Sequence, residues 1–232
     1  MNILLPLSIT LLLGASASSR LAEVEIQYDV VRAQEFVDHV REAGDGDELF
    51  AEALLVLAEL HRIDFEALDE SQRAERRELG RRIDDLADEA LALIDELSES
   101  SHTQRLKADL LGVKIRSNYQ AKKYRKQMER AAARAMELDS TNAAAYVSAA
   151  KPFLFADERH RGDTDHAIAL LNTALKLEPN FEKAHLLLAY AMEQNGELDL
   201  ARQRYESVLG TNPDSRPALD ALARLRAADR SP

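Results

Sequence analysis

The sequence predicts an all-α protein built from antiparallel helix pairs, and three observations support this class. Ala, Leu, Glu and Arg dominate the 232 residues, which include only 8 Gly, 6 Pro and no Trp; straight-chain residues lose little rotamer freedom in a helix. No stretch alternates β-branched or aromatic with polar residues as a strand does. Apolar residues instead recur at helical spacing, and in the C-terminal half a helical pattern repeats after 34 residues.

Charge is spread unevenly along the chain, whose net charge is −11. Residues 20–104 contain 9 basic and 24 acidic residues, whereas residues 105–134 contain 10 basic and 2 acidic ones. This contrast predicts an internal electrostatic fit, a docking face, or both. The overall negative charge repels nucleic acid and anionic lipid at long range. Because the chain has no Cys, a disulfide framework, a thiol nucleophile and a lipid-modified Cys are excluded.

The first residues carry an apolar run over 3–13, followed by Ala15-Ser16-Ala17. The run is shorter than the roughly 20 residues that span a bilayer, and with the small residues after it predicts a signal peptide over 1–17, cleaved before Ser18. The protein is then periplasmic or secreted, without a membrane span. Since no Lys or Arg precedes the run, an N-terminal helix docked in the core or held uncleaved at a membrane remains an alternative.

Residues 18–100 are predicted to form divergent helix pairs. Apolar spacing indicates helices over 21–43, from Asp47 beyond Leu60, and over 71–97, with Asp47 as the capping residue of the second. The polar segment 98–101 is the predicted boundary with the second region, 101–232.

Residues 101–232 are predicted to form regular pairs, with helices over 104–119 and 122–138, 142–155 and 163–177, and 182–194 and 198–209. A turn is expected near Gln120, and Pro152 should end or kink its helix. A last helix over 216–228 is expected to cap the stack. Its predicted inward residues are Leu219, Leu222 and Leu225, and its predicted outward residues are Arg216, Arg224 and Arg226.

The repeat is clearest where Ala174-Leu175 and Pro179 recur as Val208-Leu209 and Pro213. Between the two prolines, Leu188-Ala189 and Ala201 let two helices approach closely, Gly196 permits a tight turn, and Tyr205 fills an aromatic position. On these residues the segment 181–213 resembles the tetratricopeptide-repeat family. The preceding unit has 39 residues, with the excess around 151–162, and a weaker unit ends at Asp139.

This resemblance, which covers about 105–213, implies a short right-handed superhelix (an α-solenoid). It also implies a non-enzymatic scaffold of the bacterial cell envelope that binds a partner protein, with no cofactor. Pro152 and Gly162-Asp163 are in addition similar to the T-component subgroup of TRAP-type transporters, although that subgroup commonly carries a lipidated Cys. The alternative function is therefore a transporter accessory subunit that forms a homo-oligomer and handles a small ligand in an apolar cavity near 153–155.

Two sets of residues are candidates for partner binding. The family geometry implies a concave face that carries Lys183, Leu186, Tyr190, Glu193 and Gln194, unless these side chains only cover a C-terminal helix. The second set is the basic run that contains Lys122, Lys123, Arg125 and Lys126. This run either binds an acidic partner or nucleic acid, or forms a solvated helix face or a pairing surface for the acidic N-terminal helices.

Chemistry is weakly indicated. The local residues with metal-ligand character are His160, Asp163, Asp165 and His166, preceded by Asp157 and Glu158. A loop whose Asp163 or Thr164 caps the next helix explains them without a metal. The chain has no Gly-rich phosphate loop, G-x-S-x-G elbow or H-E-x-x-H motif. We therefore expect neither catalysis nor a bound metal.

Overall fold

The computed structural model describes residues 16–155 and 162–228. These residues form eleven α-helices and no strand, which confirms the predicted fold class. Residues 1–15 of the predicted signal peptide and residues 156–161, with His160, lie outside the described residues. The helices are α1 (Ala17–Gln27), α2 (Val30–Ala43), α3 (Asp47–Ala67), α4 (Arg73–Glu96), α5 (Ser101–Val113), α6 (Asn118–Leu138), α7 (Ala143–Leu154), α8 (Thr164–Leu177), α9 (Glu182–Gln194), α10 (Leu198–Thr211) and α11 (Arg216–Ala228).

Consecutive helices pack as pairs: α3 with α4, α5 with α6, α7 with α8, and α9 with α10. The second helix of each pair also contacts the first helix of the next pair, and α11 packs on α10 as the last layer. On one side of the stack the first helices of successive pairs also contact each other: α3 contacts α5, and α5 contacts α7. This arrangement is a solenoid, in which each pair buries its apolar face only against its neighbours.

The stack curves so that its first helices lie on the inside. Arg216 of α11 donates a hydrogen bond to Asp64 of α3 at 2.9 Å, although 152 residues separate them. The Tyr28 hydroxyl, just after α1, donates to Glu182 of α9 at 2.8 Å. Contacts between the two ends of the stack require a concave inner side. We call this inner side, lined by α3, α5, α7 and α9, the concave groove.

The core runs through the whole stack. The apolar stripe of α3, which includes Leu54 and Leu57, is fully buried in one cluster with Leu106 and Leu110 of α5. In the C-terminal pairs small residues occupy the helix crossings, as Ala201 does with no exposed surface. Tyr205, the predicted aromatic position, is also buried. The close packing that the repeat predicted is therefore present.

The prediction of one helix over 21–43 is wrong. Tyr28 takes a left-handed conformation with φ of 52° and ends α1. The Asp29 carboxylate then accepts the backbone N–H groups of Val31 and Arg32 at 2.9 and 3.2 Å, which starts α2. The Asp29 cap thus separates two helices, although the helical spacing of apolar residues continues through the break between them.

Serine caps move two further boundaries. The Ser100 hydroxyl accepts from the backbone N–H of Thr103 at 3.0 Å, so α5 begins before the predicted residue. The Ser117 hydroxyl accepts from the backbone N–H of Gln120 at 3.3 Å, which places the turn before Ser117 rather than near Gln120. Gly46, with φ of 105°, occupies the capping position predicted for Asp47, which is instead the first residue of α3.

The C-terminal helices differ from the prediction in α11. α7 ends at Leu154, close to the predicted end at 155, and contains Pro152. In α11, Leu222 and Leu225 are buried as predicted, but Leu219 is 46% exposed. Arg216 does not point outward, because it pairs with Asp64 in the concave groove.

Gly196 in the α9–α10 turn has φ of 77°, and a Cβ atom placed there would meet nothing within 4 Å. Gly196→Ala is therefore expected to lower the free energy of unfolding by about 1–2 kcal/mol through backbone strain alone. Gly210→Ala is the matched control, since Gly210 lies inside α10 with equally open space and should gain about 0.5–1 kcal/mol. Thermal unfolding of both variants measures these changes. A change of the same sign in both variants would contradict the role of backbone strain at Gly196.

Candidate partner-binding surfaces

Lys183, in the first turn of α9, is committed to contacts within the chain. Its ammonium group pairs with Glu59 of α3 at 2.7 Å and with Glu25 of α1. Burial by itself would lower the pKa of Lys183, but the charges of Glu25 and Glu59 outweigh it and hold this pKa well above its usual value. Lys183 is therefore charged and already neutralised by two carboxylates.

These contacts extend into a network along the floor of the concave groove. The Asp109 carboxylate of α5 accepts from Lys151 at 2.7 Å and from Ser148 at 2.8 Å, both on α7. Arg105, one turn before Asp109, donates to Glu52 of α3 at 2.5 Å. Burial by itself would raise the pKa of Asp109, but the positive charges of Lys151 and Arg105 lower it by more. The pKa of Asp109 therefore lies below its usual value.

Sequence reasoning missed this network, although one signal was present. Lys151 is the one charged residue of α7, in the segment SAAKPF, and Asp109 is the one acidic residue of α5, in the segment KADLLGV. A charge at such a position is buried when its helix packs on both sides, and a buried charge needs a partner. The pattern could have indicated that both charges are paired, but not with which residue.

The other predicted residues of α9 have mixed surroundings. Leu186 packs against the buried cluster of α10 and α11. Glu193 accepts from Arg224 of α11 at 2.9 Å and from the Tyr205 hydroxyl at 3.3 Å. Arg224 is 55% exposed, in agreement with its predicted outward position, while it pairs with α9. Gln194 is exposed.

Tyr190 is half-buried and packs against Phe155, with 5.4 Å between the ring centroids. Phe155 is 61% exposed. The sequence predicted it as part of the apolar cavity expected near 153–155, not as part of this binding set. Tyr190 and Gln194 are thus the part of this predicted set that faces solvent, and Phe155 lies beside Tyr190. The remainder serves the internal packing of the stack, which was the alternative reading of these positions.

The basic segment 105–134 largely pairs with the acidic N-terminal helices, which confirms the alternative of an internal electrostatic fit. Its ion pairs with acidic residues of the α4–α5 region are Lys107–Asp95 at 2.7 Å, Arg116–Asp84 at 2.7 Å, Arg134–Glu99 at 3.0 Å and Lys114–Asp88. Lys114 and Arg116 are buried enough for these pairs to orient α4 on α5 and α6. Docking of the two regions therefore uses their opposite charges.

The predicted basic residues on α6 divide into two groups. Arg125 pairs with Glu129 at 2.8 Å, and the Lys123 ammonium lies 4.8 Å from the centre of the Tyr124 ring. Lys122 and Lys126 are exposed, one turn apart, and the described residues place no carboxylate within ion-pair distance of either. Arg130 continues the same face one turn later, and Tyr119, 77% exposed, begins it. We call Tyr119, Lys122, Lys126 and Arg130 the α6 basic face.

The two predicted sets are not brought together. α6 packs against α5 and α7, whereas α9 packs mainly against α8 and α10. The α6 basic face belongs to a second helix, on the outer side of the stack, and Tyr190 belongs to a first helix, on the inner side. They are two separate candidate surfaces.

The candidate metal residues within the described part of the chain have structural roles. The Asp163 carboxylate accepts from the backbone N–H of His166 at 2.9 Å and so caps α8 as predicted. The His166 ring packs edge-on against Phe153, with centroids 4.5 Å apart. Among residues 16–155 and 162–228, no group of three or more His, Cys, Asp or Glu is placed to hold a metal ion.

None of the helices within residues 16–155 and 162–228 is both long and apolar enough to cross a membrane.

Comparison with known proteins supports the repeat and the fold. Residues 159–225 match the family model described as tetratricopeptide repeat. No curated protein matches the chain as a relative. Among solved structures, the tetratricopeptide-repeat protein TTC0263 of Thermus thermophilus is similar in fold, with a TM-score of 0.56, 18% identity, and coverage of 92% of this chain and 98% of that one.

Two further structures are similar at lower TM-scores. The first is YrrB, described as a tetratricopeptide-repeat protein with an unusual peptide-binding site, with a TM-score of 0.43, 13% identity, and coverage of 89% of this chain and 97% of that one. The second is described as the TPR2AB-domain:pHSP90 complex of yeast Sti1, with a TM-score of 0.42, 12% identity, and coverage of 90% of this chain and 83% of that one. At these identities the likeness concerns the fold alone. The chain is thus an all-α solenoid that carries the tetratricopeptide-repeat signature in residues 159–225.

Proposed function

We propose that this protein is a non-enzymatic scaffold of the bacterial cell envelope that binds an acidic protein through the α6 basic face. Repeat solenoids offer extended surfaces to other proteins, and protein binding is the usual role of this repeat. One observation carries the choice of surface. Most cations of segment 105–134 are paired within the chain, whereas Lys122, Lys126 and Arg130 share one exposed face with Tyr119.

This composition suits a protein partner. An exposed tyrosine beside arginine and lysine is the mixture that protein interfaces favour, because the aromatic ring contributes apolar area at little cost in conformational entropy. Nucleic acid is disfavoured, since a molecule of net charge −11 repels a phosphate backbone away from this one face. The partner surface is expected to carry several Asp or Glu residues that complement the three cations.

Photocrosslinking in the native host tests the surface. A photoreactive phenylalanine at position 119 is expected to yield one protein adduct, and Lys122→Glu with Lys126→Glu should reduce its amount at least about tenfold. The matched control is Arg73→Glu with Arg77→Glu, which reverses two exposed cations one turn apart on α4, and should leave the adduct unchanged. Two results would contradict binding at the α6 basic face. One is an adduct at position 119 whose amount is unchanged by Lys122→Glu with Lys126→Glu, and the other is an adduct that forms only when the photoreactive residue is at position 190.

The envelope location rests on the apolar run over 3–13 and the small residues before Ser18. Cleavage there would place the new amino terminus in the first turn of α1, which begins at Ala17. Mass spectrometry of the protein from its host measures this terminus directly. A mature chain that begins at Ser18 in the periplasmic or secreted fraction supports export. An intact Met1 terminus in the cytoplasmic fraction would contradict it.

The transporter-accessory alternative predicts an apolar cavity near 153–155. Phe153 packs against His166 there, and Phe155 against Tyr190. A cavity of about 260 Å³ lies instead between α2, α3 and α4, and is lined by Val30, Val31, Gln34, Glu35, His61 and Arg82. Because its walls are partly charged and it lies far along the chain from Phe153, it does not favour this alternative over the scaffold.

A further inference from the structure

The cavity of about 260 Å³ between α2, α3 and α4 combines apolar and charged walls. His61 of α3 and Arg82 of α4 line it, together with one face of the first two turns of α2: Val30, Val31, Gln34 and Glu35. Pockets for drug-sized ligands have volumes of about 300–1,000 Å³. This cavity is therefore large enough only for a small molecule, and its polar lining offers such a molecule specific contacts.

His61 is buried at this cavity with a ring nitrogen that lacks a partner. The residue is 4% exposed, and its Nδ1 atom has no hydrogen-bond partner among residues 16–155 and 162–228. Burial, followed by the charge of Arg82, lowers the pKa of His61, and the opposite effect of Asp64 is smaller. The ring is therefore neutral at pH 7 and has one donor and one acceptor nitrogen. Because folded proteins rarely leave a buried polar atom unpaired, His61 points to a ligand in the cavity that it lines.

Two opposite charges line the same cavity without pairing with each other. Within the described part of the chain, neither the Arg82 guanidinium nor the Glu35 carboxylate forms an ion pair or a side-chain hydrogen bond. The carboxylate of Asp64, one turn after His61, is already paired with Arg216 at 2.9 Å. Arg82 and Glu35 are thus available to a ligand, and together they are complementary to a molecule that carries one negative and one positive group.

The valines of α2 supply the apolar wall, and Val31 is 66% exposed. We propose that this cavity binds a free α-amino acid with an aliphatic side chain. Arg82 receives the ligand carboxylate, and Glu35 receives its ammonium group. The ligand side chain packs on Val30 and Val31, where it covers apolar surface that is otherwise open to water. This inference goes beyond the proposed function, because none of these residues belongs to the α6 basic face.

Other small ligands fit the cavity less well. An inorganic anion or a simple aliphatic carboxylate would pair with Arg82 but leave the Glu35 carboxylate without a partner and close to a like charge. A purely apolar molecule would cover Arg82, Glu35 and His61 without forming hydrogen bonds to them, which costs free energy. A zwitterion with an aliphatic side chain satisfies the cation, the carboxylate and the apolar wall together.

An NMR titration of the full-length protein tests this site, with L-valine, L-leucine and L-isoleucine as probes. At least one of them is expected to shift the methyl signals of Val30 and Val31 and the ring signals of His61. The expected dissociation constant is on the order of 0.1–1 mM, because a small ligand in an open cavity makes few contacts. The tightest-binding probe should bind at least about tenfold more tightly than its amide, which lacks the negative charge, and than its deaminated acid, which lacks the positive charge.

Arg82→Gln and Glu35→Gln should each weaken amino-acid binding at least about tenfold. Glu35→Gln should not weaken binding of the deaminated acid, since that molecule has no ammonium group for Glu35 to receive. Arg81→Gln is the matched control and should leave the affinity unchanged, because Arg81 pairs with Glu78 on α4 and does not line the cavity. All three substituted residues are exposed, so each variant should keep the circular dichroism spectrum of the wild type.

Three results would overturn the proposal. They are the absence of a shift at His61 with any probe at about 20 mM, equal affinity for the amino acid and its amide or deaminated acid, and equal losses from Arg81→Gln and Arg82→Gln. Lys122→Glu with Lys126→Glu should leave amino-acid binding unchanged, because the cavity and the α6 basic face share no residue. The proposed function and this inference are therefore tested separately, and either can fail while the other holds.

Discussion

Leu57→Ala is expected to lower the free energy of unfolding by about 2–5 kcal/mol. Leu57 has no exposed surface and belongs to the cluster that joins α2, α3, α4 and α5. The substitution removes buried methyl groups and leaves a cavity, because helices that pack on several sides cannot collapse to fill it. Urea unfolding followed by circular dichroism at 222 nm measures the loss.

Leu200→Ala is the matched control, because Leu200 is 50% exposed on α10. Its effect should stay within about 0.5 kcal/mol. The slope of free energy against urea should be the same in the wild type and both variants, since the surface exposed on unfolding hardly changes. Equal destabilisation by the two substitutions would mean that the buried cluster of α3 is not the core of the stack.

Asp109→Asn is expected to lower the free energy of unfolding by about 3–5 kcal/mol at pH 7. Asn keeps the size of Asp109 and can still accept from Ser148, but it removes the negative charge between Lys151 and Arg105. Both cations are mostly buried, with side chains 18% and 10% exposed, so neither regains full hydration. Arg105 keeps Glu52 as a partner, but Lys151 keeps only Glu59 at 3.7 Å, and a buried charge that loses its close partner is the costly change. Thermal and urea unfolding at pH 7 both measure it.

The pH dependence of unfolding in the wild type and in Asp109→Asn tests whether the charge of Asp109 is what stabilises the fold. The pKa of Asp109 is lowered in the folded protein. Its charge therefore stabilises the fold at pH values above the unfolded pKa of about 3.9, and this contribution is lost as the pH falls through the folded pKa. The stability difference between wild type and Asp109→Asn should accordingly narrow as the pH falls below about 4. A difference that stays constant down to the acid transition would contradict a charge-based role.

Asp45→Asn is the control for both measurements, because Asp45 is exposed in the turn between α2 and α3. It should change the free energy of unfolding by no more than about 0.5 kcal/mol. A large effect of Asp45→Asn would mean that net charge, rather than the pairs of Asp109 with Lys151 and Arg105, governs stability.

The C-terminal helices could be predicted because their signals are local. α8, α9 and α10 follow from apolar spacing within each helix, and Pro179, Gly196 and Pro213 mark where each must end. The 34-residue repeat adds that the helices stack in pairs, since one pair cannot bury its own apolar face. At the N-terminus the same reasoning merged α1 and α2, because the apolar pattern continues through a break that depends on the Tyr28 conformation and the Asp29 cap.

The candidate surfaces show the same limit. The positions of Lys122 and Lys126 on an exposed helix face follow from their spacing, but their lack of a carboxylate partner among the described residues depends on which acidic residues α4 brings close. Lys183 was predicted to face a partner, yet Glu59 and Glu25 neutralise it. Periodicity tells which side of a helix a charge lies on, and says nothing about a helix more than a hundred residues away.

Composition, spacing and the repeat thus account for the fold class, most of the helices and the order in which they stack. The curvature of the stack accounts for the rest: it brings α1 and α3 to α9 and α11, and buries Asp109 among cations. Curvature accumulates from small rotations between successive pairs, and these depend on the side-chain volumes at every crossing together. No local segment contains that sum, so contacts between the ends of the stack are decided only by the tertiary structure.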